Sequence, residues 1–409
     1  MKTVRKKKFY HGIILLVILM NKFFSLGKII IKKLHEFGYE AYFVGGFVRD
    51  YLLGVEPKDV DITTNALPEE VEEIFDNTRA TGKKYGTITV FIEDFSFEVT
   101  TYRIDQLYLN HRKPQSVVFS QKLKEDLSRR DFTINALAMN DKAEVIDLFN
   151  GQDDLKNGII RAIGNADERF KEDALRILRA LRFVSRLNFA VEENTLHSMK
   201  NNLGLLNKLA NERICSELEE IFANPYNKSA VNYMDIIGFK DVFSEFASGI
   251  EVYLESEYNL DFRQFFALNL YLSKKEIPEV WKLSNKDKLL IYKYVHILNT
   301  IKNTHFNPLI LYKCGLNVPL QANEILKVLK KDNNQEELIV QIFQELPIKK
   351  REELAINGHD ILGLQDINNE EIIGKVIDEI ESQVVLGHLK NETTILKEYA
   401  KQLLERLDG

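Results

Sequence analysis

The sequence predicts an α+β head followed by an all-helical arm, and two observations support this. Up to about residue 150, short apolar segments of strand character alternate with amphipathic helical segments. From Asp167 onwards the strand signals fade, and helical segments follow one another with glycine or proline at the breaks. At 409 residues the chain is too long for one compact core, so we expect two to four domains.

The first 20 residues combine a basic start with a short apolar run. The run Ile13–Met20 is too short to span a bilayer, and no small-residue cleavage site follows it. We therefore expect translation to begin at Met20. Residues 1–19 would then be an upstream extension that is not part of the fold.

Charge and cysteine content indicate which classes of protein and site the chain does not fit. The formal net charge of −6 gives no global electrostatic argument for a nucleic-acid partner. The two cysteines, Cys215 and Cys314, lie far apart and lack the spacing of a zinc site. This usage fits a reducing compartment, so the sequence predicts a cytoplasmic protein without a disulfide framework and without a membrane segment.

A turn with paired glycines organises the head. Residues 23–37 have helical spacing and lead into the apolar strand Ala41–Val44. Gly45 and Gly46 then allow the backbone to turn sharply and to approach a ligand, because neither residue has a Cβ atom. A short helix follows and ends at Gly54.

Two aspartates after this helix predict a metal site. Asp59 and Asp61 lie in a segment of strand character, where alternation sends both carboxylates to one face. Two like charges on one face are costly unless a cation lies between them, and a hard divalent ion such as Mg2+ suits oxygen ligands. The alternative is a pair of solvated aspartates on an edge strand.

A hairpin further along the head supplies a third acid. Residues 87–92 and 95–102 predict two strands around a turn at Glu93-Asp94. Glu98 lies on the face opposite Phe97 and Val99, which point to a core. If this hairpin lies beside the aspartate strand, three carboxylates converge in an arrangement suited to in-line phosphoryl transfer. The alternative for Glu98 is a surface acid.

The rest of the head is predicted with less regular patterns. Residues 104–125 are polar and carry few apolar anchors, which indicates a mobile segment. A charged start at Glu125 then leads into an amphipathic helix through Ala138, and a final strand covers Val145–Leu148.

Several motifs, in matching order, resemble the class II tRNA nucleotidyltransferases. These enzymes have a polymerase-β-type head, which they share with bacterial poly(A) polymerases. The motifs are Gly45-Gly46-x-Val48-Arg49-Asp50, Pro57-Lys58-Asp59-x-Asp61, Glu98-Val99-Thr100-Thr101-Tyr102-Arg103, Arg129-Arg130-Asp131-Phe132-Thr133-Ile134-Asn135, Glu172-Asp173-Ala174-Leu175-Arg176-x-Leu178-Arg179-Ala180-x-Arg182-Phe183 and, more loosely, Glu212-Arg213-Ile214-x-x-Glu217-Leu218. Residues 353–386 resemble the tail of the short-tailed enzymes of Bacillus-like bacteria.

The resemblance implies a four-part layout. A nucleotidyltransferase head (palm) would cover residues 20–150, and a helical neck with the base-selecting helix would cover 151–222. A helical body at 223–306 and a helical tail at 307–409 would follow.

The resemblance also implies a role for each candidate residue. Asp59, Asp61 and Glu98 would be catalytic, and Asp59 and Asp61 would bind Mg2+. The nucleotide-binding residues for ATP and CTP would be Gly46, Arg49, Arg130, Asp173, Arg176, Arg179 and Arg182. Among these, Asp173 and Arg176 would pair with the Watson–Crick edge of the incoming base, so that protein replaces a template. From the residues alone, the stripe on this helix could equally be a solvated face with ion pairs three residues apart.

The implied function is the addition of C, C and A to the 3′ acceptor end of tRNA from CTP and ATP, with release of pyrophosphate. In the resembling enzymes a loop equivalent to Asp105–Pro114 helps to switch specificity from C to A, and its presence favours addition of A. Three alternatives stay open: an A-adding enzyme with a CC-adding partner, a poly(A) polymerase, and a catalytically dead RNA-binding module. The residues of the arm that contact RNA are unknown from sequence, and a homodimer stays open.

Overall fold

The computed structural model describes residues 22–57, 59–108, 114–302, 304–329, 334–364 and 370–407. The expected extension, residues 1–19, lies outside the described residues, as do Lys58 and residues 109–113 of the predicted specificity loop. The chain divides into two compact units, Met1–Val242 and Phe243–Gly409. The finer division at residues 150, 222 and 306 stays a prediction.

A mixed seven-stranded sheet forms the centre of the first unit. Its strands are β1 (Ala41–Val44), β2 (Asp61–Thr64), β3 (Thr78–Gly82), β4 (Thr87–Ile92), β5 (Phe95–Thr101), β8 (Leu137–Met139) and β9 (Val145–Asp147). They are arranged in the order β3-β4-β5-β2-β1-β8-β9. Neighbours run antiparallel except β2 and β5, which are parallel. Two further pairs are β6 (Arg103–Tyr108) with β7 (Pro114–Phe119), and β10 (Ile159–Ile160) with β11 (Ala190–Val191).

Helices cover the sheet and then continue beyond it. The first helix, α1, spans residues 22–36. The others of this unit are α2 (Gly46–Leu53), α3 (Pro68–Ile74), α4 (Leu123–Ser128), α5 (Gly151–Asn157), α6 (Ala166–Glu172), α7 (Leu175–Leu187), α8 (Glu193–Asn202), α9 (Asn211–Ala223), α10 (Asn227–Ile237) and α11 (Phe239–Val242).

The alternation of side chains along β1 separates two cores. Phe43 joins the larger core, in which the sheet packs against apolar residues of α1 such as Ile30 and Leu34. Val44, the next residue, points to the other face and packs with Leu127 near α4. The chain then reaches Gly45 at the end of β1, a central strand. The turn therefore lies at the end of the sheet, between the two cores.

The predicted aspartate strand is shorter than expected. The strand β2 begins at Asp61, and Asp59 precedes it. The physical reason is the partner strand, because the register pairs Val44 with Asp61 and β1 ends where the chain turns at Gly45. The alternation therefore applies to Asp61 and the buried Thr63, which share one face of β2.

The paired strands β6 and β7 lie within the segment predicted to be mobile, and its mobility stays a prediction. One further prediction for the head was wrong. The amphipathic helix expected from Glu125 ends at Ser128, and Arg130 follows this helix instead of lying on it. Part of the predicted helical run forms strand β8, whose residues Leu137–Met139 are all buried. A short, fully buried apolar run has no alternation that would distinguish strand from helix.

The second unit is helical. Its helices are α12 (Ile250–Glu255), α13 (Phe262–Ser273), α14 (Asn285–Thr300), α15 (Pro308–Cys314), α16 (Asn317–Leu329), α17 (Glu336–Glu345), α18 (Gly358–Leu362), α19 (Glu370–Val385) and α20 (Thr393–Leu407). Phe246 lies at the centre of an aromatic cluster with Phe265, Phe266 and Trp281. Across the described parts of the chain, no helix has both the length and the apolar character needed to cross a membrane.

Candidate active site

A cavity of about 610 Å³ in the first unit is lined by nine of the ten predicted site residues. These are Gly46, Arg49, Asp59, Asp61, Arg130, Asp173, Arg176, Arg179 and Arg182. The tenth, Glu98, is exposed and lies outside the lining. A cavity of this size is in the range that holds small-molecule ligands.

The acids lie at the end of β2. Asp61 and Glu98 are register partners on the parallel strands β2 and β5, so the predicted neighbourhood of these two strands is confirmed. Burial raises the pKa of Asp61 to about 6. Arg130 opposes this rise, and the nearby Glu98 and Asp59 carboxylates add to it. Removal from water and like charge act together on Asp61, so its charged form is destabilised until a cation approaches.

These acids fit a divalent cation that has further ligands from a substrate. Among the described residues, no group of three or more histidine, cysteine, aspartate or glutamate side chains forms a metal site by itself. Mg2+ in phosphoryl-transfer sites is commonly held by one or two carboxylates together with substrate phosphates and water. Asp59 and Asp61 are two carboxylates of this kind. The raised pKa of Asp61 reflects burial and nearby negative charge, and a bound cation would offset both.

The glycine turn brings backbone and a guanidinium together beside the acids. Gly45 has a φ of 68°, and α2 starts directly after it. A Cβ atom at Gly45 would lie 2.8 Å from Nη1 of Arg130 and 3.5 Å from Oδ2 of Asp61. At Gly46 a Cβ atom would meet only Nη2 of Arg49, at an ordinary 3.6 Å. The resemblance implied Gly46 as the nucleotide-binding glycine. The structure shows that a side chain at Gly45, not at Gly46, would collide with Arg130.

Arg130 keeps donor capacity for a ligand. Its Nη2 donates to Asp126 at 3.2 Å, and Asp126 also binds Arg129. The buried Nε of Arg130 has no hydrogen-bond partner among the described residues. An unsatisfied buried donor costs free energy, so an anion in the cavity would be stabilised here.

Arg49 belongs to a chain of buried ion pairs. Its guanidinium donates to Asp50 at 2.8 and 2.9 Å and to Asn135 at 2.6 Å. Asn135 donates to Asp131 at 3.0 Å, and Asp131 accepts from Arg179 at 2.6 and 2.8 Å. Arg49 is only 3% exposed. Three of the five N–H groups of Arg49 are therefore engaged within the protein, and its contact with phosphate stays a prediction.

The same network ties α7 to the head. Arg186 of α7 donates to Asp50 of α2 at 2.8 Å, and Arg179 of α7 binds Asp131. Burial acts to raise the pKa of Asp131, but Arg179 and the donating Asn135 hold it well below its usual range. Two points of α7 are thus fixed by carboxylates from the head.

Phe183 forms an apolar support for three guanidinium groups. The groups of Arg49, Arg179 and Arg182 lie 5.1, 5.9 and 5.7 Å from its ring centroid. Phe183 is itself 5% exposed and packs edge-on against Phe132 at 5.7 Å. Cation–π attraction of this kind holds arginines in place without using their hydrogen-bond donors.

The two residues predicted to read the base lie at the start of α7. Asp173 occupies the junction between α6 and α7, and its Oδ1 accepts from the Leu175 N–H at 3.1 Å. Arg176 is 8% exposed. It donates to Glu172 at 2.8 Å and to the carbonyls of Arg169 and Arg129 at 3.1 and 3.0 Å. These bonds fix the guanidinium plane of Arg176 at the cavity wall.

Sequence reasoning missed several residues of the cavity. The lining also contains Asp50, Asp131, Asn135, Arg186, Arg213, Glu220 and Asn224. Four of these residues, Asp50, Asp131, Asn135 and Arg213, lie within the motifs that carry the family resemblance, so a signal existed for them. Their role as partners depends on contacts between distant segments, which spacing along the chain does not show.

Family models match three parts of the chain. A model described as the poly A polymerase head domain matches residues 41–161. One described as a probable RNA and SrmB-binding site of polymerase A matches 188–248. One described as tRNA nucleotidyltransferase domain 2 matches 265–400.

Relatives that match over most of their length are CCA-adding enzymes. A CCA-adding enzyme of Ligilactobacillus salivarius is 40% identical over 394 residues, covering 92% of this chain and 96% of that protein. A CCA-adding enzyme of Enterococcus faecalis is 36% identical over 384 residues, covering 91% and 94%. The crystal structure of the Bacillus stearothermophilus CCA-adding enzyme in complex with CTP is 33% identical, with a TM-score of 0.83 over 94% of this chain and 98% of that one. The chain belongs to the family of CCA-adding enzymes, as its motifs predict.

Proposed function

We propose that this protein adds C, C and A to the 3′ end of tRNA, using CTP and ATP and releasing pyrophosphate. The observation that carries the proposal is the shared cavity, which holds the acids Asp59 and Asp61 together with Asp173 and Arg176 of the base-selecting region. Acids at one side suit phosphoryl transfer, and a fixed carboxylate and guanidinium at the other suit choice of a base. The names of the relatives support the same assignment.

In this reaction the 3′ hydroxyl of the tRNA attacks the α-phosphorus of the nucleotide, and pyrophosphate leaves. Asp59 and Asp61 would hold Mg2+, which when bound neutralises phosphate charge and favours the deprotonated hydroxyl. Glu98, beside Asp61 in the sheet, adds negative charge that strengthens cation binding at Asp61. We assign the cation as Mg2+ because the donors are carboxylate oxygens, and we place the enzyme in the cytoplasm.

The phosphate-binding side is formed by the glycine turn and the free donor of Arg130. Backbone N–H groups at the start of α2 and the Nε of Arg130 would bind the triphosphate. Arg182 adds positive charge at the cavity wall. Arg49, paired with Asp50 and Asn135, would orient the turn.

Gly45→Ala is expected to lower kcat/KM about 10- to 100-fold, because the new Cβ displaces Arg130 and crowds Asp61. The matched control is Gly54→Ala, at the other end of α2. Gly54 has nearly the same φ, 66°, with a ψ of 29°, and nothing lies within 4 Å of its Cβ position. Gly54→Ala should lose about 1 kcal/mol of stability, because other residues can adopt this left-handed conformation. Gly45→Ala should lose about 1 to 3 kcal/mol, because residues other than glycine rarely adopt its φ of 68° with a ψ of −133°. Equal activity losses in the two variants would show that strain, and not intrusion into the site, matters at Gly45.

Base choice follows from the donors and acceptors at Asp173 and Arg176. A carboxylate accepts from the exocyclic amine that cytosine and adenine share, and a guanidinium donates to a ring nitrogen or carbonyl oxygen. The three hydrogen bonds of Arg176 leave its Nε and one hydrogen of Nη2 for the base. Uracil and guanine present a carbonyl oxygen at the position where cytosine and adenine present this amine, so an acceptor would face the Asp173 carboxylate, which disfavours them.

Asp173→Ala is expected to reduce the preference for CTP and ATP over UTP and GTP about 100-fold, with incorporation itself retained. Incorporation of each single nucleotide into a tRNA lacking CCA measures this preference. Glu168→Ala, which changes an exposed acid on α6, is the control and should leave the preference unchanged. Normal selectivity in Asp173→Ala would contradict the assignment of Asp173 to base reading.

A single assay separates the alternatives for product length. The protein is incubated with tRNA ending before CCA, with CTP and ATP separately and together. Long A tails would indicate a poly(A) polymerase, and no CTP incorporation on the bare end would indicate an A-adding enzyme. No product in any mixture would indicate an RNA-binding module.

A further inference from the structure

Helix α9 places two opposite charges against the nucleotide-selecting residues. Arg213 and Glu217 lie one helical turn apart on α9. Nη2 of Arg213 lies 3.6 Å from Oδ2 of Asp173, and Oε2 of Glu217 lies 3.2 Å from Nη1 of Arg182. Each charge on α9 thus faces a partner of opposite sign.

Asp173 depends on these contacts for its orientation. It lies between two helices with extended backbone angles, φ −139° and ψ 100°, so its backbone belongs to neither helix. Oδ1 accepts from the Leu175 N–H, and Oδ2 faces Arg213. The two contacts come from opposite oxygens, and together they define the plane of the carboxylate.

We propose that Arg213 is a positioning residue that holds the Asp173 carboxylate for base selection. The inference rests on the proposed function. It extends that function to a residue of α9 that acts on base selection through Asp173. At 3.6 Å the contact is an ion pair and not a hydrogen bond, so its effect is to orient charge and to disfavour other rotamers of Asp173.

A second feature of Arg213 supports this position in the site. Its Nη1 is buried and has no hydrogen-bond partner among the described residues. Arg213 also lines the cavity. Arg213 therefore lies at the cavity wall beside Asp173, where the charge of its guanidinium acts on that carboxylate.

The competing explanation is that Arg213 merely packs α9 against α7. Arg213→Met keeps most of the apolar stem and removes the charge, and Arg213→Lys keeps the charge without the planar fork. Under the positioning role, Arg213→Met lowers the selectivity for CTP over UTP about tenfold, through a higher KM for CTP more than a lower kcat. Arg213→Lys restores most of that selectivity. Ser216→Ala, at an exposed position of α9, serves as the control.

A double-mutant cycle tests whether Arg213 acts through Asp173. In the Asp173→Ala background, Arg213→Met should change selectivity less than about twofold, because the group it positions is absent. A tenfold further loss in that background would overturn the inference, as would a kcat decrease in Arg213→Met that is equal for all four nucleotides. If the wild-type protein adds no nucleotide to tRNA, the proposed function fails. If it adds nucleotides selectively and Arg213→Met matches it, only the role of Arg213 fails.

Discussion

Asp61→Asn is expected to abolish nucleotide incorporation and to make the metal-free protein more stable at pH 8. The loss of activity should be at least about a thousandfold, because the substitution removes a carboxylate that would hold the cation at the reacting phosphate. The gain in stability should be about 1 to 2 kcal/mol, which is less than the full pKa shift implies because the side chain is partly exposed to solvent.

The sign of the stability change follows from the raised pKa of Asp61. Its pKa rises from 3.8 to about 6 on folding, so the folded protein binds the proton more tightly than the unfolded chain. This contribution to stability is present below about pH 4 and is lost as the pH rises through 6. Asparagine is neutral throughout, so the advantage of the variant should be largest above pH 7 and should shrink towards pH 4.

Denaturant unfolding at several pH values and thermal unfolding with and without Mg2+ check both parts. Mg2+ should raise the melting temperature of the wild type and leave Asp61→Asn nearly unchanged. The control is Asp94→Asn, which changes an exposed acid at the turn between β4 and β5 and should behave as the wild type. A variant that loses activity together with stability at pH 8 would indicate misfolding instead of a catalytic role.

Local patterns in the sequence were sufficient to identify the acidic residues of the site, Asp61 and Glu98. The glycine turn after β1 and the alternation in the β4–β5 hairpin are properties of neighbouring residues. The alternation placed Glu98 opposite Phe97 and Val99, and the condition that its hairpin lies beside the aspartate strand is met, because the register pairs Glu98 with Asp61. The reading of Asp59 as part of the strand was wrong because the end of β1, not the local pattern, determines where β2 begins.

The ion-pair network could not be predicted from local patterns in the sequence. Arg186 and Asp50 are 136 residues apart, and Arg179 and Asp131 are 48 apart. A charged stripe on a helix is compatible with solvent as well as with a buried partner, and only the packing of α7 against the head distinguishes the two. Arg49 illustrates the consequence, since the residue predicted to bind phosphate also donates to Asp50 and Asn135, and neither bond could be predicted from the sequence.

Asp131→Asn tests whether this network fixes α7 to the head. The carboxylate accepts from Arg179, from Asn135 and from the Phe132 N–H, and Asp131 is 7% exposed. Removing its charge leaves Arg179 without its ionic partner and should cost about 2 to 3 kcal/mol, since Arg179 can recover some solvation. The KM for CTP and ATP should rise as well, because Arg179 no longer holds its place at the cavity wall.

The pH dependence of Asp131→Asn should be opposite in sign to that of Asp61→Asn. The folded protein holds the pKa of Asp131 below its usual range, so its contribution to stability is present above about pH 4. That contribution is lost as the pH falls further. The wild type should therefore exceed Asp131→Asn in stability by a constant amount between pH 5 and 8, and the gap should narrow in acid. A gap below about 0.5 kcal/mol at pH 7, comparable with that of Asp94→Asn, would show that α7 is held by apolar packing alone.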